Sequence, residues 1–163
     1  MISECITYLE NKLKAAMGTE TVIFHTAKEL SRYAESHVGA ILLERDALTR
    51  EDTRSGPGDG IKVFGRALQF SVVIGEYTME TIDPMYTAFL SSLDRSFALT
   101  DGHRAAMDVG EAEWTAKEDG ILLANVAALI PITISGGIYK MRQTAVIDTN
   151  ITIEEDTHGN QNK

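Results

Sequence analysis

Phe64-Gly65-Arg66-Ala67-Leu68-Gln69-Phe70-Ser71-Val72-Val73-Ile74-Gly75 is the run on which the fold turns. Phe64, Leu68, Phe70, Val72 and Ile74 share one parity, while Gly65, Ala67, Gln69, Ser71 and Gly75 share the other. A two-residue period marks a strand with one face against a core. Arg66 is the single exception on the apolar parity. A charge there calls for a carboxylate partner, one that a neighbouring subunit can supply, because an unpaired charge on an apolar face is costly. A strand from Ile61 to Tyr77 exceeds the usual length, so a bend is expected at Gly65 or Gly75.

Downstream, Asp83-Pro84 reads as a helix start, with Asp83 as N-cap and Pro84 at the first helical position. Tyr86, Phe89, Leu90, Leu93 and Phe97 then fall on one helical face, opposite Ser91, Ser92, Asp94 and Arg95, so this helix packs on a sheet. Met107 and Val109 open an alternation that continues as Ala112, Trp114 and Ala116. Its parity changes around Gly110-Glu111, which a β-bulge explains. After the turn chemistry of Glu118-Asp119-Gly120, every even position from Leu122 to Ile134 is apolar, so residues 107–134 read as a β-hairpin. A helix over 121–130 is the competing reading, from its leucines and alanines. Pro131 cannot donate to a ladder and marks an edge position or a bulge.

Upstream, Ile6, Leu9, Leu13, Ala16 and Met17 predict an opening helix, with Ser3 as N-cap and Gly18 as the C′ residue. Thr21 to His25 predicts a short strand, residues 27–37 a connector with a helical turn, and Val38–Leu43 an interior strand ending at Glu44, Arg45 and Asp46. Residues 46–60, with Arg50, Glu51, Asp52, Arg54 and the run Gly56-Pro57-Gly58-Asp59-Gly60, lack periodicity and predict a mobile loop. Past Gly136-Gly137 the pattern weakens; Val146, Ile151 and Ile153 suit a last exposed strand, and residues 154–163 form a polar tail. The expectation is one α+β domain over 1–140, followed by a partly disordered extension over 141–163. Its sheet is mixed and mostly antiparallel, of four to six strands, with two main helices packed on one face.

The composition narrows the function classes. A chain of 163 residues with 44% hydrophobic and 24% charged residues has the size and make-up of one folded domain. Fifteen Lys and Arg against 24 Asp and Glu leave a net charge of −9, which opposes sequence-specific nucleic-acid binding. Cys5 is the only cysteine, excluding an intramolecular disulfide and a Cys-rich zinc module, and its helical setting reads as a buried small hydrophobe. The start of the sequence has no basic and apolar leader pattern, and no apolar run is long enough to span a membrane, so a cytoplasmic protein without a membrane partner is expected.

No catalytic or metal constellation emerges. His25, His37, His103 and His158 lie on four segments without metal-ligand spacing, and Glu111, Glu113, Glu118 and Asp119 read as the solvated charges of a hairpin edge. The 56–60 run lacks the Lys-Ser/Thr of a phosphate loop, the Asn150-Ile151-Thr152 sequon lacks a secretory context, and no Gly-x-Ser-x-Gly elbow is present. Catalytic, cofactor and metal sites are therefore expected to be none.

The order of elements resembles the tail terminator proteins of long-tailed bacteriophages, of the small α/β ring-forming type, from Ile2 to about Tyr139. The opening helix Ser3 to Met17, the Val38–Leu43 and Phe64–Ile74 strands, the Asp83-Pro84 helix, and the hairpin with Trp114 and Ile130–Ile134 carry the likeness. The resemblance implies a non-enzymatic homohexameric ring that caps the tail tube and joins it to the head. Its partners would be the tail tube protein and head–tail connector proteins, in the host cytoplasm and then in the phage or prophage virion tail. The 46–60 region and the segment from Met141 to Lys163 depart from the family pattern. Arg50, Glu51, Asp52, Arg54 and Arg66 are the candidate subunit or tube interface: forked arginine donors, complementary carboxylates and adaptable glycines nearby suit contact with a partner. The rival readings are a small cytosolic hydrolase or transferase with a site assembled from scattered Asp, Glu and His, and another virion or secretion-apparatus adaptor.

Overall fold

A computed structural model describes residues 1–32, 35–54, 61–116 and 126–140. Three helices and seven strands follow in the order α1 (Ile2–Met17), β1 (Ile23–Phe24), α2 (Ala27–Leu30), β2 (Val38–Arg54), β3 (Ile61–Glu76), α3 (Met79–Ser92), β4 (Ser96–Ala98), β5 (Arg104–Val109), β6 (Glu113–Ala116) and β7 (Val126–Lys140). The fold is α+β. One sheet has the order β1-β2-β3-β7-β5-β4, with β6 also paired to β7. Among the described strands only the β1–β2 pair is parallel. The sheet is thus mixed and mostly antiparallel as expected, with one strand more than the expected upper bound because the first arm of the late hairpin is split in two.

One face of the sheet carries the main core. Phe70, Val72 and Ile74 of β3 and Ile130, Ile132 and Ile134 of β7 are buried there beneath Cys5, Leu9, Leu13 and Met17 of α1 and Ile82 and Phe89 of α3. The four-residue spacing of the α1 set keeps it on one helical stripe. Burial pushes the Cys5 thiol up to about 11, in keeping with a small buried hydrophobe. The opposite face holds a smaller cluster, in which Leu30 of α2 covers Val38, Ala40 and Val73.

Several boundaries differ from the sequence reading. The helix α1 begins at Ile2, so Ser3 lies inside it and caps nothing; Gly18 ends it at φ 111°, donating its N–H to Lys14 O. The strand predicted over 21–25 shrinks to Ile23–Phe24 against Gly39–Ala40. The helix α3 starts a turn earlier than Asp83-Pro84. Thr78 and Thr81 form its capping box, and Pro84 sits inside the helix, where its missing N–H costs one intrahelical bond. Phe97 belongs to β4 rather than to this helix.

The largest correction concerns the expected loop at 46–60. Residues 46–54 continue β2 and pair with Ile61–Leu68 of β3. Charged residues on both parities hid the strand from a hydrophobic pattern, whereas a long partner strand supplies the ladder. The 55–60 part of that loop lies outside the described residues. The pairing of β3 with β7 keeps one register from Phe64 to Glu76, past both Gly65 and Gly75; the irregularity falls between Lys62 and Phe64.

The late hairpin and its bulge are as expected. Val109 faces Ile132 and Glu113 faces Leu129, four steps on one side against three on the other. Gly110 in the gap donates its N–H to Pro131 O at 2.8 Å, and a Cβ on Gly110 would stand 2.9 Å from Pro131 Cγ. Pro131 is in a central strand, not at an edge, and its missing donor falls opposite the bulge. Residues 126–130 are strand rather than helix. The 118–120 turn, residues 121–125 and the 141–163 extension lie outside the described residues.

Candidate functional site

The five candidate interface residues map onto one structural unit. Toward the start of β3, the strands β2, β3 and β7 run on together as an arm, with Asp46 to Arg50 set against Phe64 to Leu68, and these against Ile134 to Ile138; Met1 at the start of α1 reaches this arm at Gly136. Alternation divides their side chains. Asp46, Leu48, Arg50, Phe64 and Arg66 share the face that leads to the main core; Ala47, Thr49, Glu51, Gly65 and Ala67 share the other.

Arg66 finds its carboxylate within the chain. Its Nε donates to Asp46 Oδ1 at 2.9 Å and its Nη2 to Asp46 Oδ2 at 2.5 Å, a two-pronged geometry that lysine cannot copy. These bonds raise the Arg66 guanidinium and lower the Asp46 carboxyl from their ordinary values. The partner expected for Arg66 is thus present, on the adjacent strand rather than across a subunit boundary.

The other candidates separate into two settings. The Arg50 guanidinium lies 5.7 Å from the Phe64 ring centroid. Glu51 pairs with Lys62 at 2.9 Å and lies over Gly65, whose missing Cβ makes room for it. For Asp52 and Arg54 the structure gives the backbone of β2 and no side-chain placement. The arm also exposes large apolar side chains: Leu48 at 54% and Ile138 at 39%, with Leu43 at its base at 40%.

A second constellation had no signal in the sequence. His37, at the start of the run leading into β2, directs Nδ1 to Glu76 Oε1 and Nε2 to Thr21 Oγ1, the latter at 2.9 Å. Thr21 also donates to Met17 O at 3.1 Å, and Glu76 accepts from Tyr77 N–H at 3.2 Å and Thr81 Oγ1 at 3.4 Å. Thr21 and Glu76 thus occupy the two ring nitrogens of one imidazole. Hydroxyl, imidazole and carboxylate stand in the order of a nucleophile relay. The Thr21 hydroxyl is instead directed at a helix carbonyl in a residue only 6% exposed, while Glu76 is 3% exposed. The chain of bonds therefore ties the end of α1, the start of β2 and the start of α3. The residues stand 16 and 39 positions apart, so no local motif could show it.

An open groove of about 390 Å³ runs between α1 and β4, lined by Glu4, Tyr8, Asn11, Phe97 and Thr100 among others. Tyr8 stacks on Phe97 with centroids 4.1 Å apart and donates its hydroxyl proton to Asp94 at 2.9 Å, which Lys12 also contacts at 3.1 Å. Trp114 of β6 is 41% exposed and leans on Tyr86 of α3.

Among the described residues, no group of three or more His, Cys, Asp or Glu is placed to hold a metal ion. His25 lies near Glu10, His37 on Glu76 and His103 edge-on to Tyr139, so these three remain on separate parts of the structure. Glu111 and Glu113 are exposed, as a solvated hairpin edge requires, while Glu118, Asp119, Asn150 and His158 lie outside the described residues. No helix among the described residues is long and apolar enough to cross a membrane. The sequence matches no protein-family model and no curated protein.

Proposed function

We propose that the chain is a structural subunit of a phage or prophage tail, a terminator that closes into a six-membered ring, caps the tail tube and offers the surface for head joining. The arm carries this reading. A three-stranded extension with exposed Leu48 and Ile138 beside ion-paired Arg66 and Glu51 is suited to contact with another protein.

The order of helix, short strand, long hairpin, helix and late hairpin supports the same likeness. The deciding experiment mixes the purified chain with a polymerising tail tube protein of a long-tailed phage and follows tube length by electron microscopy and particle mass by native mass spectrometry. A terminator shortens tubes at far less than one subunit per tube subunit and gives a six-subunit particle. Unchanged tubes, together with monomer alone at micromolar concentration, would overturn the reading.

A further inference from the structure

The outer edge of β2 is the longest strand edge in the described structure that no described strand covers. β1 pairs only with Gly39 and Ala40, and beyond them β2 runs on to Arg54 with β3 on its inner side. Exposed strand edges recruit further strands, so natural sequences cover or blunt them. Here register irregularities between Leu43 and Arg45 and between Arg50 and Thr53 bound a regular run at both ends. Bulges twist an edge away from flat pairing, leaving the stretch around Leu48 as the part best able to take a partner. Leu48 is the most exposed large apolar side chain of the described residues, at 54%.

The charges in this stretch select the partner. We propose that the β2 edge is a two-fold contact between two copies of this chain, paired antiparallel with Leu48 of one copy opposite Leu48 of the other. That register sets Asp46 against Arg50 of the second copy on the Leu48 face and Arg45 against Glu51 on the opposite face, and the two-fold repeats both pairs. The same register opposes Glu44 to Asp52 at the irregular ends of the run; slipping by one residue in one direction opposes Arg45 to Arg50 and Glu44 to Glu51, and slipping in the other opposes Asp46 to Glu51 while meeting Arg45 with Asp52, so the Leu48 register keeps the largest excess of opposite-charge pairs. Asp46 holds Arg66 and Glu51 holds Lys62, yet carboxylate oxygens carry further lone pairs for a second donor. The contact closes at two copies, so it holds the free chain as a dimer, and it does not rest on the ring reading.

Cross-linking tests the register. Residues directly opposite in an antiparallel pair have Cα atoms about 4.5–5.5 Å apart, within disulfide range. Mild oxidation of Leu48→Cys is expected to give a disulfide-linked dimer, since the natural Cys5 is buried at 0% exposure. Leu43→Cys, whose two copies would stand roughly 33 Å apart in this register, stays monomeric in the same assay. Independently, Arg45→Glu and Glu51→Arg each raise the dimer dissociation constant about tenfold in sedimentation experiments, and the two combined restore it. Cross-linking at both positions or at neither, or a double variant that associates no better than the single ones, overturns the proposal. A six-subunit particle without the Leu48→Cys cross-link removes this contact and leaves the ring; a cross-linked dimer that never caps tubes does the reverse.

Discussion

Arg66 and Asp46 join neighbouring strands by two parallel hydrogen bonds where the arm begins. On the same parity of β3, Leu68 is fully buried, Arg66 is partly buried and Phe64 lies further out. The fork thus marks the transition from core to arm. It lets a long strand continue past its hydrophobic cover without leaving a charge unpaired.

Acid should loosen such contacts in a definite direction. Arg66 lowers the Asp46 carboxyl, and the Met1 amino group, followed by the N–H and hydroxyl of Thr100, holds Glu4 down to about 2 from 4.5. A carboxyl with a depressed folded pKa contributes stability above its unfolded pKa and loses it as pH falls through the folded value. Urea unfolding of the wild type should weaken between pH 4.5 and about 2 more steeply than that of Glu4→Gln. Parallel curves over that window would show that Glu4 is not protonated differently in the folded and unfolded chains.

The His37–Glu76 pair should behave as a unit. Removing the imidazole with His37→Ala leaves a carboxylate at 3% exposure without this hydrogen bond, at a cost of about 1–3 kcal/mol. Changing Glu76→Gln as well should recover about 1 kcal/mol or more, because the two effects are coupled. Denaturant titrations of the single and double variants give the coupling directly. Simple additivity would mean that the bond contributes nothing to stability.

Thr78 is expected to matter more than Asp83 at the start of α3. The Thr78 hydroxyl accepts from Thr81 N–H at 3.3 Å, so Thr78→Ala should cost about 1 kcal/mol. Asp83, exposed within the helix, should tolerate Ala with a change within about 0.5 kcal/mol. Thermal unfolding of the two variants decides which residue sets the boundary.

What the sequence discloses depends on whether a residue's environment is local. The alternation of Phe64 to Ile74 shows a strand because the buried parity is written in consecutive residues. The Gly110 bulge shows itself because it inverts that parity, and Pro131 agrees with it from the partner strand. Asp83-Pro84 misplaces the helix start, since Thr78 and Thr81 cap it one turn earlier and the proline is accommodated inside. Arg66 announces a partner but not where it stands, and Asp46 lies beside it only once β2 and β3 have paired. Thr21, His37 and Glu76 meet through three separate elements and carry no pattern in any one of them.

The outer half of β2 gives the last test, because the sequence predicts a loop there and the structure pairs it with β3. Arg50 lies inside the predicted 46–60 loop and Arg45 just before it; both are trypsin sites, and a loop would be cut in the native protein at once. In the structure both residues are in a strand whose release requires breaking the ladder to β3. Cleavage after either arginine should therefore be slow and track the population of opened molecules, rising with urea as opening becomes easier. Asp46→Ala removes the fork to Arg66 and should speed cleavage at Arg45 and Arg50 more than cleavage after Lys14, which lies in α1. Rapid native-state cleavage at Arg50, indifferent to urea and to Asp46, would return this segment to a loop and remove the strand edge on which the dimer depends.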